Sequence, residues 1–175
     1  MRMSSLLGLI RGFPGKPLHP PLTDVSIGAY TVGTAMLVLG TLGVEEEQMA
    51  HGALLAISGG LIVALPTAIT GLADWLRIEK GTPARTVATI HLFVMLAATA
   101  LFAATWLAQL DGYKHDEVKT LALILGVVAE TVLAIGGNIG GANVFVYGIR
   151  VLKRDELPAR QALDPRGVKA EKPRG

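Results

Sequence analysis

The chain has 175 residues, a formal charge of +2, 51% hydrophobic residues and only 17% charged ones, against about 25% charged in a soluble domain. It contains no cysteine, which excludes disulfides, iron–sulfur clusters and thiolate zinc sites. Its basic residues flank apolar runs instead of forming one face, so they report membrane topology and exclude a nucleic-acid surface.

The N-terminal stretch Ser4–Ile10 is too short for a signal-peptide core and lacks a small-residue cleavage site, so it is read as a segment lying on the membrane surface. Pro14, Pro17, Pro20 and Pro21 predict an extended segment ending where the first span begins. Four apolar runs follow, each near the roughly 20 residues needed to cross a bilayer. Val25–Val44, Gln48–Ala73 and Thr86–Leu110 contain no Asp, Glu, Lys or Arg, and Thr120–Ile149 contains only Glu130. The organisation expected is a cytoplasmic arm over 1–22, a four-helix domain over 23–150 and a basic disordered cytoplasmic tail over 151–175. The spans fall at about 25–44, 51–74, 86–110 and 119–141. The fourth run is too long for one straight span, and its glycines 136, 137, 140 and 141 predict close packing, a kink or an exit onto the surface.

Fourteen of the sixteen Lys and Arg residues lie in the N-terminal arm, the second connector or the segment from Arg150 onward; only Lys114 and Lys119 lie on the other side. The positive-inside rule then places both termini in the cytoplasm. The fold class is all-α, an integral four-helix bundle of the plasma membrane with N and C termini inside. Trp75, Trp106 and Tyr113 fall at span ends, where aromatic belts belong.

Small residues at helical spacing mark faces that can pack closely in lipid. They read Asp24, Gly28, Thr31, Ala35 in the first span and Gly60, Ala64, Thr67, Gly71, Asp74 in the second. The third gives Ala88, His91, Met95, Ala98 and the fourth Gly126, Glu130, Ala134, Gly137, Asn138, Gly141. A charge at the bilayer centre costs about 3 kcal/mol even on lenient scales, so the ionisable members of these stripes stand out. Asp24, Asp74, His91, Glu130 and Asn138 form the candidate buried polar site. Counting residues puts Glu130 near the midplane, with His91 about 7 Å inside the cytoplasmic end and within reach of Glu130. One use of such a set is a static network that orients the helices, with Glu130 paired to His91; the other is a functional site open to the cytoplasm.

Several segments resemble a bacterial membrane-protein family catalogued as domain of unknown function 2231 (DUF2231). The resemblance rests on Gly15–Lys16–Pro17–Leu18–His19–Pro20 leading into Leu22–Thr23–Asp24–Val25–Ser26–Ile27–Gly28, and on Leu65–Pro66–Thr67–Ala68–Ile69–Thr70–Gly71–Leu72–Ala73–Asp74–Trp75. His91 and Gly136–Gly137–Asn138–Ile139–Gly140–Gly141 extend it, so that it covers roughly residues 13–150. It implies a four-helix membrane fold, and the joining of such modules to Rieske-type domains implies electron transfer. Lys16 stands where members often carry histidine, and Ala142 and Asn143 stand where another histidine often follows the glycines.

Three functions are compatible with these residues. A non-catalytic subunit or anchor of a membrane assembly stands first, in contact with lipid and either a second copy or a redox or other membrane-complex partner. Proton or small-cation translocation through Asp24 or Asp74, His91 and Glu130 is the second, since imidazole titrates near physiological pH. A b-type haem held by His19 and His91 is the third, because both histidines come from the cytoplasmic side and bundle cores commonly hold haem between two imidazoles. A zinc site from His19, Asp24, Asp74 and His91 is conceivable, but their spacing is not a metal signature and no metal is assigned. Hydrolytic motifs, phosphate loops and His–Glu metal signatures are absent from the sequence.

Overall fold

The computed structural model describes residues 10–152, 156–165 and 167. The surface stretch expected at Ser4–Ile10 lies outside them apart from Ile10, as do 12 of the 25 residues of the tail expected at 151–175. A short antiparallel hairpin, β1 (Gly12–Phe13) and β2 (Lys16–Pro17), precedes α1 (His19–Thr41), α2 (Glu46–Trp75), α3 (Pro83–Lys114) and α4 (Thr120–Phe145); a single turn, α5 (Ala159–Ala162), follows. Helices α1 to α4 are each long and apolar enough to cross a membrane. The protein is a four-helix membrane bundle.

The extended segment expected at Pro14–Pro21 is replaced by the hairpin and the first turn of α1. Pro20 and Pro21 follow His19 in the first turn of α1, where the missing N–H needs no partner and the fixed φ suits a helix. His19 is thereby carried on the helix instead of on a free arm. Pro83 plays the same role in α3, where the Thr82 hydroxyl accepts from Arg85 N at 3.2 Å. The glycine cluster of α4 does not end it; the helix runs through to Phe145.

Large apolar side chains point outward, Val32, Leu55, Ile62, Leu65, Phe93 and Leu121 among them, as lipid contact demands. Packing is closest within the pairs α1–α2 and α3–α4. The bundle is therefore two helical hairpins laid together, with both chain-end segments at one end and the α1–α2 and α3–α4 turns at the other. The core is stitched by small residues receiving large ones. Tyr30 stacks flat on Phe102, ring centroids 4.0 Å apart, and lies against Gly60, where a Cβ would sit 2.6 Å from the ring.

The inward faces of α2 and α3 follow the small-residue stripes, but that of α1 is turned away from its stripe and that of α4 shares only Gly126 with it. Ser26, Tyr30, Gly33, Thr34 and Leu37 are buried in α1, and Ala122, Gly126, Ala129, Leu133, Gly136 and Asn143 in α4. Gly28 and Gly137 face open space. The Trp106 indole N–H reaches inward to Ser58 Oγ at 2.8 Å and ties α3 to α2. Trp75 donates to Thr89 Oγ1 at 3.0 Å, and the Arg85 guanidinium covers its ring at 3.4 Å. Arg85 also donates to the carbonyls of Trp75 and Ile78, capping α2 at its C-terminus.

Candidate functional site

The proline pair sets the start of α1 so that His19 faces α2 on its first turn. Its Nδ1 lies 3.0 Å from the carbonyl oxygen of Thr67. The edge of its ring rests on Gly71, where a Cβ would come within 2.7 Å of Cε1. The second hairpin repeats this arrangement. His91 of α3 places Nδ1 2.9 Å from the carbonyl of Gly136 on α4, and its ring rests on Gly140, again with 2.7 Å between a notional Cβ and Cε1. In each case the glycine follows the accepting carbonyl by one helical turn.

The carbonyls decide the tautomer. A backbone oxygen has no proton to give, so Nδ1 of each imidazole carries the hydrogen and donates, leaving the lone pair on Nε2. Thr70 Oγ1 lies 3.4 Å from Nδ1 of His19, but its own hydroxyl serves the carbonyls of Pro66 and Thr67, both at 2.9 Å. His19 lies within Coulombic reach of both His91 and Asp74. Two oriented imidazoles, one from each hairpin, thus share the end of the bundle that carries the chain-end segments, each with an Nε2 that has no hydrogen-bond partner among the described residues. Such a backbone hydrogen bond is the usual outer-shell device for fixing a ligating histidine.

Asp74 is buried beside this pair and is gripped by two arginines. Arg11 Nε lies 2.6 Å from Asp74 Oδ1, and Arg150 Nε lies 3.5 Å from the same oxygen. Arg150 has left-handed backbone, φ +64°, and also donates from Nη2 to the carbonyls of Arg11 at 2.6 Å and Gly12 at 3.3 Å. One carboxylate therefore closes the β1–β2 hairpin and the segment after α4 over the end of the bundle. By sequence, both arginines read only as topology charges.

The other expected members are placed elsewhere. Asp24 and Asn138 are exposed on the outer surfaces of α1 and α4, because the inward face lies nearly opposite the stripe in α1 and about 100° from it in α4. Glu130 does not meet His91: its Oε1 accepts from Thr31 Oγ1 at 2.8 Å, joining α4 to α1. Its Oε2 is sealed from solvent with no hydrogen-bond partner among the described residues. The conceivable zinc set of His19, Asp24, Asp74 and His91 fails for the same reasons, since Asp24 points away and Asp74 is held by arginines. Asn143, absent from the residues expected by sequence, is buried at the end of α4. Its signal is its seven-residue spacing from Gly136, two turns along the same face.

A family model described as a predicted membrane protein, DUF2231, matches residues 15–153. That span takes in His19, both glycine contacts, His91, Asp74 and Arg150. No curated protein and no solved structure matches the chain.

Proposed function

We propose that this chain, which belongs to the DUF2231 family of predicted membrane proteins, is a non-catalytic, electron-carrying subunit of a membrane assembly, with a b-type haem held between His19 and His91. The observation that carries this reading is the repeated unit of histidine, carbonyl and glycine. It delivers two imidazoles from opposite halves of a helical bundle, each with Nε2 unpartnered among the described residues. That donor set would suit a haem iron, which bundle cores commonly hold between two imidazoles, and carboxylates, which suit harder cations, are not part of it. When bound, such a group supplies one-electron transfer. The chain's own role is to fix the tautomers through Thr67 and Gly136, to hold the rings against Gly71 and Gly140, and to keep solvent out with the Arg11–Asp74–Arg150 closure. The two arginines also bring positive charge to this end, suited to haem propionates.

The distribution of Lys and Arg supports a multi-pass orientation in the plasma membrane with this end toward the cytoplasm; reporter fusions at the 42–45 and 115–119 turns test that point separately. Translocation through a chain of Asp, His and Glu is less favoured, because Glu130 engages Thr31 and not His91.

The deciding experiment is the absorption spectrum of the full chain, purified in mild detergent from haem-supplemented cells. A Soret band with sharp reduced α and β bands at one haem per chain is expected. His19→Ala or His91→Ala is expected to abolish the low-spin spectrum, with His51→Ala and His115→Ala unaffected. A well-folded wild-type protein that takes up no haem on titration overturns the reading.

A further inference from the structure

The opposite end of the bundle, where the α1–α2 and α3–α4 turns meet, holds a second convergence of donor atoms. Glu45 adopts left-handed backbone, φ +40°, and α2 begins at the next residue. Glu47 and His51 then lie one turn apart on a single face of α2. Across from them α3 ends at Lys114, and Asp116, itself left-handed at φ +60°, turns its carboxylate back toward α2. Asp116 Oδ1 lies 2.9 Å from His51 Nε2, and the Tyr113 carbonyl lies 3.0 Å from the same nitrogen. One donor atom from each of Glu47, His51 and Asp116 falls within 4.8 Å of the others.

We propose that Glu47, His51 and Asp116 bind a divalent transition ion of the zinc class. Hydrogen bonding alone leaves this arrangement poorly served. A single imidazole N–H faces both a carbonyl and a carboxylate, with a second carboxylate close by, whereas a cation at that point serves all of the oxygens and the Nε2 lone pair together. Lys119 is committed elsewhere, its Nζ 2.8 Å from Asp111 and 2.5 Å from Glu117. Glu45 and Glu46 add to the local negative charge. One nitrogen and two carboxylates suit zinc and its neighbours, whereas calcium and magnesium prefer oxygen alone. Glu47 and Asp116 are exposed, so water can complete the coordination.

The site is also preorganised. Gln109 is fully buried; it donates to the Glu117 carbonyl at 2.9 Å and accepts from Lys119 N at 3.1 Å, which fixes the turn carrying Asp116. Glu46 accepts from Val118 N at 3.2 Å and so ties the start of α2 to that turn. The His51 and Tyr113 rings lie against each other, centroids 4.4 Å apart. The ion joins the two hairpins at the end opposite His19 and His91.

The test titrates zinc alone, and cobalt(II) as a spectroscopic substitute, into the untagged full chain in detergent. One ion per chain is expected, together with cobalt d–d bands and a Tm that rises with metal concentration. His51→Gln and Asp116→Asn are each expected to weaken binding by about tenfold or more. His115→Gln is expected to leave it unchanged, and so is the double variant His19→Gln/His91→Gln, which separates this site from the haem reading. If His51→Gln misfolds, Asp116→Asn decides. No stoichiometric binding to the wild type overturns the proposal, as does full binding by Asp116→Asn or loss of binding in the His19/His91 variant.

Discussion

Gly71→Ala and Gly140→Ala add one methyl group each, and the repeat predicts that they act alike. An alanine Cβ at either position begins 2.7 Å from the histidine Cε1, whereas ordinary contact starts at 3.4 Å. The ring must therefore retreat by at least the difference, about 0.7 Å. That lengthens the Nδ1 contacts, now 3.0 Å for His19 and 2.9 Å for His91, toward roughly 3.6–3.7 Å, beyond hydrogen-bonding range. Losing a partly buried bond of this kind costs about 1 kcal/mol, and overpacking adds roughly 1–3 kcal/mol. Alanine returns up to about 1 kcal/mol of helix propensity, so the clash wins by roughly 1–3 kcal/mol. Because the freed rings also lose their fixed tautomer, haem affinity should fall by at least about tenfold in each variant. Thermal melts read by circular dichroism and haem titration measure the two effects. Gly28→Ala and Gly137→Ala, which meet nothing within 4 Å, are the controls and should be neutral or slightly stabilising. If the controls lower Tm as far as the test pair, or if one histidine tolerates its new neighbour while the other does not, the reasoning fails.

Three further outcomes are expected. Asp74→Asn leaves Arg11 and Arg150 facing a neutral group in a largely buried closure, and should destabilise by about 2–4 kcal/mol; a double-mutant cycle with Arg11→Gln in thermal denaturation should return a coupling above about 1 kcal/mol. Trp106→Phe removes the bond to Ser58 while keeping most of the packing, at a cost of about 0.5–1.5 kcal/mol, measured the same way. Glu130→Gln keeps an acceptor for Thr31, so Tm and haem content should both stay close to wild type, whereas a collapse of haem binding would place Glu130 in the site.

Charge-free runs make the four helices legible, because no soluble alternative explains apolar segments of that length. In α2 and α3 the inward face is legible too. Gly60, Ala64 and Thr67 oppose bulky outward residues such as Ile62, Leu65 and Ile69, so only one face can pack closely. In α1 and α4 small residues occupy two faces, and periodicity alone cannot rank them. What ranks them is which face receives Tyr30, Phe102 and Leu133, a tertiary fact. The position of His19 is hidden because consecutive prolines suggest extended chain, although the first turn of a helix accepts them equally well. Arg11 and Arg150 are invisible as partners because each is separated from Asp74 in sequence by at least the 63 residues between Arg11 and Asp74. Gln109 passes for one more polar residue near a span end, and only the geometry of the turn shows it holding 117 and 119.

The repeated histidine unit has a consequence for stoichiometry. Each hairpin contributes one imidazole, so both halves of the pair are carried on a single strand. The 76–82 connector holds the second half at the high local concentration of a tethered partner. Dilution in the bilayer would pull independent hairpins apart, and their nitrogens with them, but it cannot separate halves that are covalently joined.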